Sequence, residues 1–300
     1  MNFSLRILSP SSSLRPPLAC EITPEGVLAA RHTTGSDAVM AFAPLASGAV
    51  QPGVAEPNLV DPEAVTAALR KALDDVAARE RNLTLVIPDS SVRVYMLDFD
   101  SLPAKKQEAM PIVRFRLRKL APFDVETAAV SYQALRQSAV QTRVLATVMP
   151  SAIRLEYERA VRAAGYEPGV LLPSMLAALA AVPQGDTALV VHRSGHSVST
   201  AITSGDDLLL YRSLDLPPEP ELQRDDLIQT VSVAAAYYED ALHTAPRVLY
   251  YVGPGGAEGF SAALGANSEG VVRDLVPNPS GAITALPKGL AAGVMGALAS

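Results

Sequence analysis

Four histidines, one cysteine, a glycine-rich turn and a run of cations are the residues of this chain whose types and spacing suggest chemistry. His192 and His196 are the closest histidine pair, four residues apart, but Arg193-Ser194-Gly195 between them reads as a turn. That spacing converges two imidazoles on one metal only along a helix. His32 and His243 stand alone, so no metal site is expected. Cys20 lies in the apolar run 18–22 with no histidine at nucleophile–base spacing, and it reads as a small core residue. A lone cysteine forms no internal disulfide. Gly253-Pro254-Gly255-Gly256 follows the apolar run 248–252 and would let backbone N–H groups approach a ligand, although a strand entering a helix needs such a turn in any α/β protein.

The cations Lys105, Lys106, Arg114, Arg116, Arg118 and Lys119 are concentrated in one segment of a chain whose net charge is -6 and whose pI is near 5.3. That balance argues against general nucleic-acid binding, which needs a broad basic footprint. Two readings of the cluster stand: a solvated helix face, or a local patch facing anionic lipid headgroups or an acidic partner.

The elements that would position these residues follow from periodicity. Residues 83–87 form an apolar run ended by Pro88-Asp89-Ser90, which reads as a buried strand and a turn. Residues 92–99 alternate as a second strand, with Val92, Val94 and Met96 on one face and Arg93, Tyr95 and Leu97 on the other. Met110, Val113, Leu117 and Leu120 fall at helical spacing and predict an amphipathic helix over 103–120, kinked at Pro111. Strands follow over 125–135 and 143–149, then a helix capped by Ser151 with Ile153, Tyr157, Val161 and Ala164 inward, then a short strand at 170–172. Upstream, short strands at 5–8, 18–22 and 27–31 and one near Val39 to Phe42 suggest a meander. Asp61-Pro62-Glu63 opens a helix with Val65, Leu69, Leu73 and Val76 on its buried face.

The second half repeats this order. An alanine-rich helix at 174–181 precedes strands at 187–191, 197–203 and 208–213, a long helix at 222–242, the strand 248–252, a helix restarting at Ala257, and a closing Ala/Gly helix over 279–300. The repetition is one of supersecondary order, not of residues. At 49% apolar residues, 300 residues are ample for a substantial core. Residues 1–9 lack the apolar core of a signal peptide. The stretch 282–300 is broken by Pro287 and Lys288, too short to span a bilayer that needs about 20 residues. A cytoplasmic protein is expected.

In order and spacing, the segments LVIPDSSVRVYMLDFDSLP, APFDVETAAVSY, VMPSAIRLEYERAVRAAGYEP, VLYYVGPGGAEGF and KGLA (288–291) resemble the actin-like ATPase superfamily, and within it the PilM-type proteins of type IV pilus assembly and their relatives in type II secretion. The resemblance spans nearly the whole chain. It implies an α/β, actin-like (ribonuclease H-like) two-lobed fold. First-lobe core would occupy 1–91, an inserted α+β subdomain 92–172, a first-lobe helix and linker 173–186, and the second lobe 187–280. A C-terminal helix, 281–300, would return to the first lobe. Only residues 214–226 are available for the second-lobe clamp subdomain of relatives, so that clamp is expected to be reduced or missing.

Actin-like ATPases hold phosphates in two hairpins with a D-x-G core, the Asp positioning magnesium and the Gly admitting backbone N–H groups to the phosphate. By the resemblance, the first hairpin here reads Cys20-Glu21-Ile22-Thr23 and the second Val191-His192-Arg193-Ser194-Gly195-His196. Glu21 replaces the first Asp with a carboxylate that could still recruit a cation, His192 replaces the second carboxylate, and neither glycine is in register. Nucleotide contacts, if made, would come from Glu21, Ser194, Gly195, His196, Gly253, Gly255 and Gly256. ATP and magnesium are thus doubtful cofactors, and hydrolysis is expected to be lost.

The resemblance implies a scaffold peripheral to the inner membrane that binds the cytoplasmic tail of a PilN-like protein, with rings or other homo-oligomers as a further possibility. Arg93, Tyr95 and Leu97 are the expected tail-binding residues, lining a groove between the first lobe and the inserted subdomain by strand addition. The alternative is an active ATPase or small-molecule kinase of the same fold.

Overall fold

The computed structural model describes residues 15–33, 38–55, 57–137, 141–183, 185–265, 270–277 and 282–299. The strand expected at 5–8 lies outside them.

The first lobe opens with the meander β1 (Leu18–Thr23), β2 (Gly26–His32) and β3 (Ala38–Pro44), followed by helix α1 (Pro62–Val76) and strand β4 (Asn82–Ile87). Asp61 starts α1 by accepting the Ala64 N–H at 2.9 Å, with Pro62 in the first turn, where its missing N–H costs nothing. Val65, Leu69, Leu73 and Val76 are buried against the meander as their spacing predicts.

A smaller unit follows: strand β5 (Arg93–Phe99), helix α2 (Lys106–Leu117), and strands β6 (Ala128–Gln137) and β7 (Thr142–Pro150), forming a sheet of order β5-β7-β6. The chain returns through α3 (Ser151–Ala163) and β8 (Glu167–Pro173) to complete the first sheet, β3-β2-β1-β4-β8. Helix α2 runs through Pro111, starting and ending three residues inside the range expected. Ser151 is not the expected acceptor cap of α3; its hydroxyl donates to the Thr127 carbonyl at 2.6 Å and ties α3 to β6.

After helix α4 (Ser174–Leu179), the second lobe repeats the first: β9 (Thr187–Ser194), β10 (Ser197–Ser204), β11 (Asp207–Asp215), α5 (Pro220–Leu242), β12 (Val248–Val252), α6 (Gly256–Leu264) and β13 (Val271–Asp274). Its sheet order, β11-β10-β9-β12-β13, matches the first strand for strand. In each sheet the meander pairs antiparallel and the last two strands add parallel. Strand β13 has no counterpart among the expected elements, because its four residues are too few to show a period. Residues 216–219 alone join β11 to α5.

Helix α7 (Ala292–Ala299) closes the chain, beginning later than the 279 expected. It packs through Val294, Ala297 and Leu298 on Ala19, Leu28 and Val86 of the first sheet, while Met175, Leu176 and Leu179 of α4 pack on Ala188 and Val190 of the second. The two helices cross closely: a Cβ on Gly296 would fall 1.9 Å from the Ala177 carbonyl oxygen. The lobes are therefore joined through this helix pair, and β1 and β9, the central strands, run toward the same seam.

Candidate functional site

Five polar side chains from both lobes meet in that seam, none more than 4% exposed: Glu21, Asp89, Ser174, His192 and Ser199. Pro88 ends β4, and residues Asp89–Ser91 make a single 3₁₀ turn. The turn is pinned to the first lobe by Ser91, whose hydroxyl donates to Asn58 Oδ1 at 2.5 Å, an oxygen that also accepts Tyr157 OH at 3.0 Å. Asp89 is thereby aimed at the second lobe. Its Oδ1 accepts the Met175 N–H at 3.0 Å, and its Oδ2 lies 2.7 Å from His192 Nδ1 and accepts Ser199 Oγ–H at 2.8 Å.

His192 Nε2 is 3.4 Å from Ser174 Oγ, and Ser174 donates to Glu21 Oε1. The chain of contacts runs from β1 through α4 to β9 and back to the turn after β4. Glu21 Oε2 has no hydrogen-bond partner among the described residues and faces Gly293 of α7. Burial pushes Glu21 up to about 7. The Ser174 hydrogen bond and His192 pull against that shift, and Asp89 and Glu25 add to it. Burial works to lower His192, but the Asp89 carboxylate, by charge and by hydrogen bond, together with the charges of Glu21 and Glu25 outweighs it, so the imidazole is held above its ordinary value. Cys20 next door is buried and its thiol is pushed up, first by burial and then by Glu21, as suits an inert core residue.

Hydroxyl, imidazole and carboxylate in this order match the parts of a hydrolytic triad, but the geometry does not serve one. Ser174 is 1% exposed, its proton is given to Glu21, and the 3.4 Å to His192 is long for the proton transfer that would activate it. What the arrangement does is bind one lobe to the other with charge-assisted hydrogen bonds inside a water-poor seam.

The hairpin turns expected from the resemblance to face phosphates make contacts within the protein. Thr23 Oγ1 donates to the Gly26 carbonyl at 3.0 Å, closing its own turn. Pro24 at that tip touches the second turn, where a Cβ on Gly195 would lie 3.3 Å from Pro24 Cγ. Ser194 is buried, and its carbonyl accepts Ser197 Oγ–H at 3.0 Å. Arg193 and His196 are both engaged by Gln223 of α5, at 3.2 and 3.1 Å. The glycines of the 253–256 loop are likewise consumed by the chain. Gly253 N–H donates to the Gly289 carbonyl at 2.9 Å, a Cβ on Gly253 would fall 2.5 Å from the Arg193 carbonyl oxygen, and Gly255 takes a left-handed φ of 82° before α6. Asp274 Oδ1 accepts the Ala257 N–H at 2.7 Å, and a Cβ on Gly256 would fall 3.0 Å from that oxygen.

Of the expected site residues, Glu21 and His192 are brought together through Ser174 and Gly195 meets Pro24 across the seam, whereas Ser194, His196, Gly253, Gly255 and Gly256 make their contacts within the second lobe and with residues 288–289. Asp89, Ser174 and Ser199 complete the network, although in the sequence alone they stand as turn, helix start and strand residues. The proline-terminated strand before Asp89 was the available signal. No group of His, Cys, Asp and Glu side chains among the described residues is placed to hold a metal ion.

The expectation that β5 keeps one free face is corrected. Tyr95 and Leu97 pack with Val113 and Leu117 beneath α2, Tyr95 OH donates to the Leu120 carbonyl at 2.9 Å, and Leu97 is buried. Val94 and Met96 on the other face pack with Met175, Leu208 and Tyr211. Arg93 spans to the second lobe, donating to Asp215 Oδ2 at 2.5 Å and to the Ser90 carbonyl at 3.1 Å. Apolar layers therefore pack on both faces of the strand, leaving Arg93 to Met96 only partly exposed. The basic set also divides. Arg114 is half-buried and donates to the Val125 and Ala128 carbonyls, Arg118 pairs with Glu126, and Lys105 pairs with Glu108 at 3.3 Å. Lys106, Arg116 and Lys119 carry no ion pair among the described residues.

Neither protein-family profiles nor curated sequences match this chain. Solved structures do. A chain of the PilM–PilN type IV pilus biogenesis complex superposes with a TM-score of 0.72 at 18% identity, covering 95% of this chain and 97% of that one. The cytoplasmic domain of EpsL, an inner-membrane component of the type II secretion system of Vibrio cholerae, follows at 0.49 and 14%, covering 94% and 92%. A Bacteroides thetaiotaomicron protein of actin-like ATPase fold and unknown function gives 0.45 and 12%, covering 84% and 88%. The first comparison, with the duplicated sheet topology, makes the fold actin-like over the length of the chain.

Proposed function

We propose that this protein is a non-hydrolysing actin-like scaffold of a type IV pilus or secretion assembly platform, one that docks the cytoplasmic tail of a PilN-like inner-membrane protein and sits beside that membrane through its partner. The observation that carries the reading is the buried Glu21–Ser174–His192–Asp89 network, which occupies the seam where the fold would hold a nucleotide's phosphates. An active ATPase or kinase needs an open cleft, a magnesium-positioning carboxylate and free hairpin N–H groups. Here Glu21 is spent on Ser174, His192 on Asp89, and the turn glycine on its neighbour. Support for the partner comes from the end-to-end likeness to the chain of the PilM–PilN complex. No helix among the described residues is long and apolar enough to cross a membrane, so a membrane-anchored partner would supply the anchor.

The tail is assigned to the junction between the first lobe and the β5–β7 unit, where Arg93 and Tyr95 keep partial exposure while Leu97 belongs to the core. Calorimetric titration with a synthetic peptide of a PilN-like cytoplasmic tail tests the function. Saturable binding, equal with and without ATP and magnesium, is expected; absence of binding in both conditions overturns the docking role.

A further inference from the structure

Helix α2 shows three sides to its surroundings. Ala109, Val113 and Leu117 are buried under the small sheet. Lys106, Gln107, Met110, Pro111, Arg114 and Arg118 line an open cavity of about 730 Å³. On the remaining side Ile112, Phe115, Arg116 and Lys119 recur at spacings of three and four, the pattern of one helical stripe. Ile112 is 40% and Phe115 60% exposed, and Leu120 just beyond the helix is 46% exposed, unusual for large apolar side chains so close together. The Lys119 ammonium lies 5.4 Å from the Phe115 ring centroid. Six cations face one anion, Glu108, over residues 105–119 of a chain whose net charge is -6.

We infer that this stripe is a docking surface for an anionic lipid membrane, with Phe115, Ile112 and Leu120 entering the headgroup–acyl boundary and Arg116 and Lys119 meeting the headgroups. Charge complementarity is what selects the occupant. Both cations are exposed and free of ion pairs among the described residues, so neither must be released before binding, and each contributes about fivefold to partitioning onto an anionic surface. Isolated apolar side chains interleaved with cations suit a fluid interface, which closes around each one; a protein groove would present a continuous apolar floor. The rest of the protein, carrying the negative charge, would be turned away from such a surface, which fixes orientation as well as attachment. This contact is direct and separate from attachment through a partner.

The test is co-sedimentation of the purified protein alone, without any partner, with vesicles of phosphatidylcholine or of phosphatidylcholine containing phosphatidylglycerol. Binding to the anionic vesicles only, weakened by salt, is expected. Arg116→Glu with Lys119→Glu should reduce it by more than tenfold, and Ile112→Ser with Phe115→Ser by about tenfold, with unchanged melting curves because all four side chains are exposed. Equal sedimentation with both vesicle types, or binding that survives either pair of substitutions, overturns the proposal. So does a loss of tail-peptide affinity on the same variants without any vesicle binding by the wild type, which would make the stripe a protein interface.

Discussion

Gly293 and Glu21 are held against each other across the seam: a Cβ on Gly293 would lie 2.2 Å from Glu21 Oε2 and 2.7 Å from its carboxyl carbon. The glycine is in helix α7, where alanine would ordinarily be favoured by about 1 kcal/mol. The close approach reverses that preference. Gly293→Ala should therefore destabilise the protein by about 1–3 kcal/mol, through forced displacement of a buried carboxylate. Glu21→Ala in the same chain should restore most of the loss, a coupling that a double-mutant cycle in denaturant would measure. Additive effects would mean that the two residues do not bear on each other.

The Asp89–His192 pair joins the turn after β4 to β9, so its loss should loosen one lobe from the other. Removing one member of a buried pair leaves the other uncompensated, at a cost of about 3–5 kcal/mol. Asp89→Ala should lower the free energy of unfolding by that amount, and protease should then cut first near residues 180–187, between α4 and β9. A near-neutral Asp89→Ala would show that the seam is held by apolar packing of α4 and α7 alone.

Stability should depend on pH in the direction opposite to that of a salt-bridged carboxylate. Glu21 is held at about 7 when folded against an ordinary 4.5, so the folded state keeps its proton longer than the unfolded chain. The resulting stabilisation is fully present below about 4.5 and lost as pH rises through about 7, with about 3 kcal/mol as its upper limit. His192, also raised, loses its contribution above its ordinary 6.5 in the same direction. The difference in unfolding free energy between wild type and Glu21→Gln should shift steadily against the wild type from about pH 4.5 to about pH 7. A flat difference would show that Glu21 keeps the same protonation in both states.

Leu97 separates the covered strand from a free one. It is 5% exposed beside Val113 and Leu117, so Leu97→Ala should cost about 2–4 kcal/mol, whereas a groove residue would barely change the melting temperature.

Much of this fold is legible in the residues because its elements are periodic. Val65, Leu69, Leu73 and Val76 announce α1, and the turns at Gly195 and Gly205 announce the second meander. What stays hidden is set by tertiary contact. β13 has four residues and no visible period, and the covered face of β5 depends on a second lobe that begins about 90 residues later. The seam is the clearest case. Glu21 and His192 stand out only against the resemblance, whereas Asp89, Ser174 and Ser199 look like ordinary turn and cap residues until folding buries them together. A glycine loop is equally silent about whether its missing Cβ admits a ligand or, as at Gly253 and Gly289, another stretch of backbone.

We propose that the protein's own side chains close the seam where the fold would hold a nucleotide. Isothermal titration of the full chain with ATP, with and without magnesium, addresses it most directly. No magnesium-dependent heat and no saturable binding are expected in either condition. Saturable, magnesium-dependent binding that Glu21→Gln abolishes would contradict it.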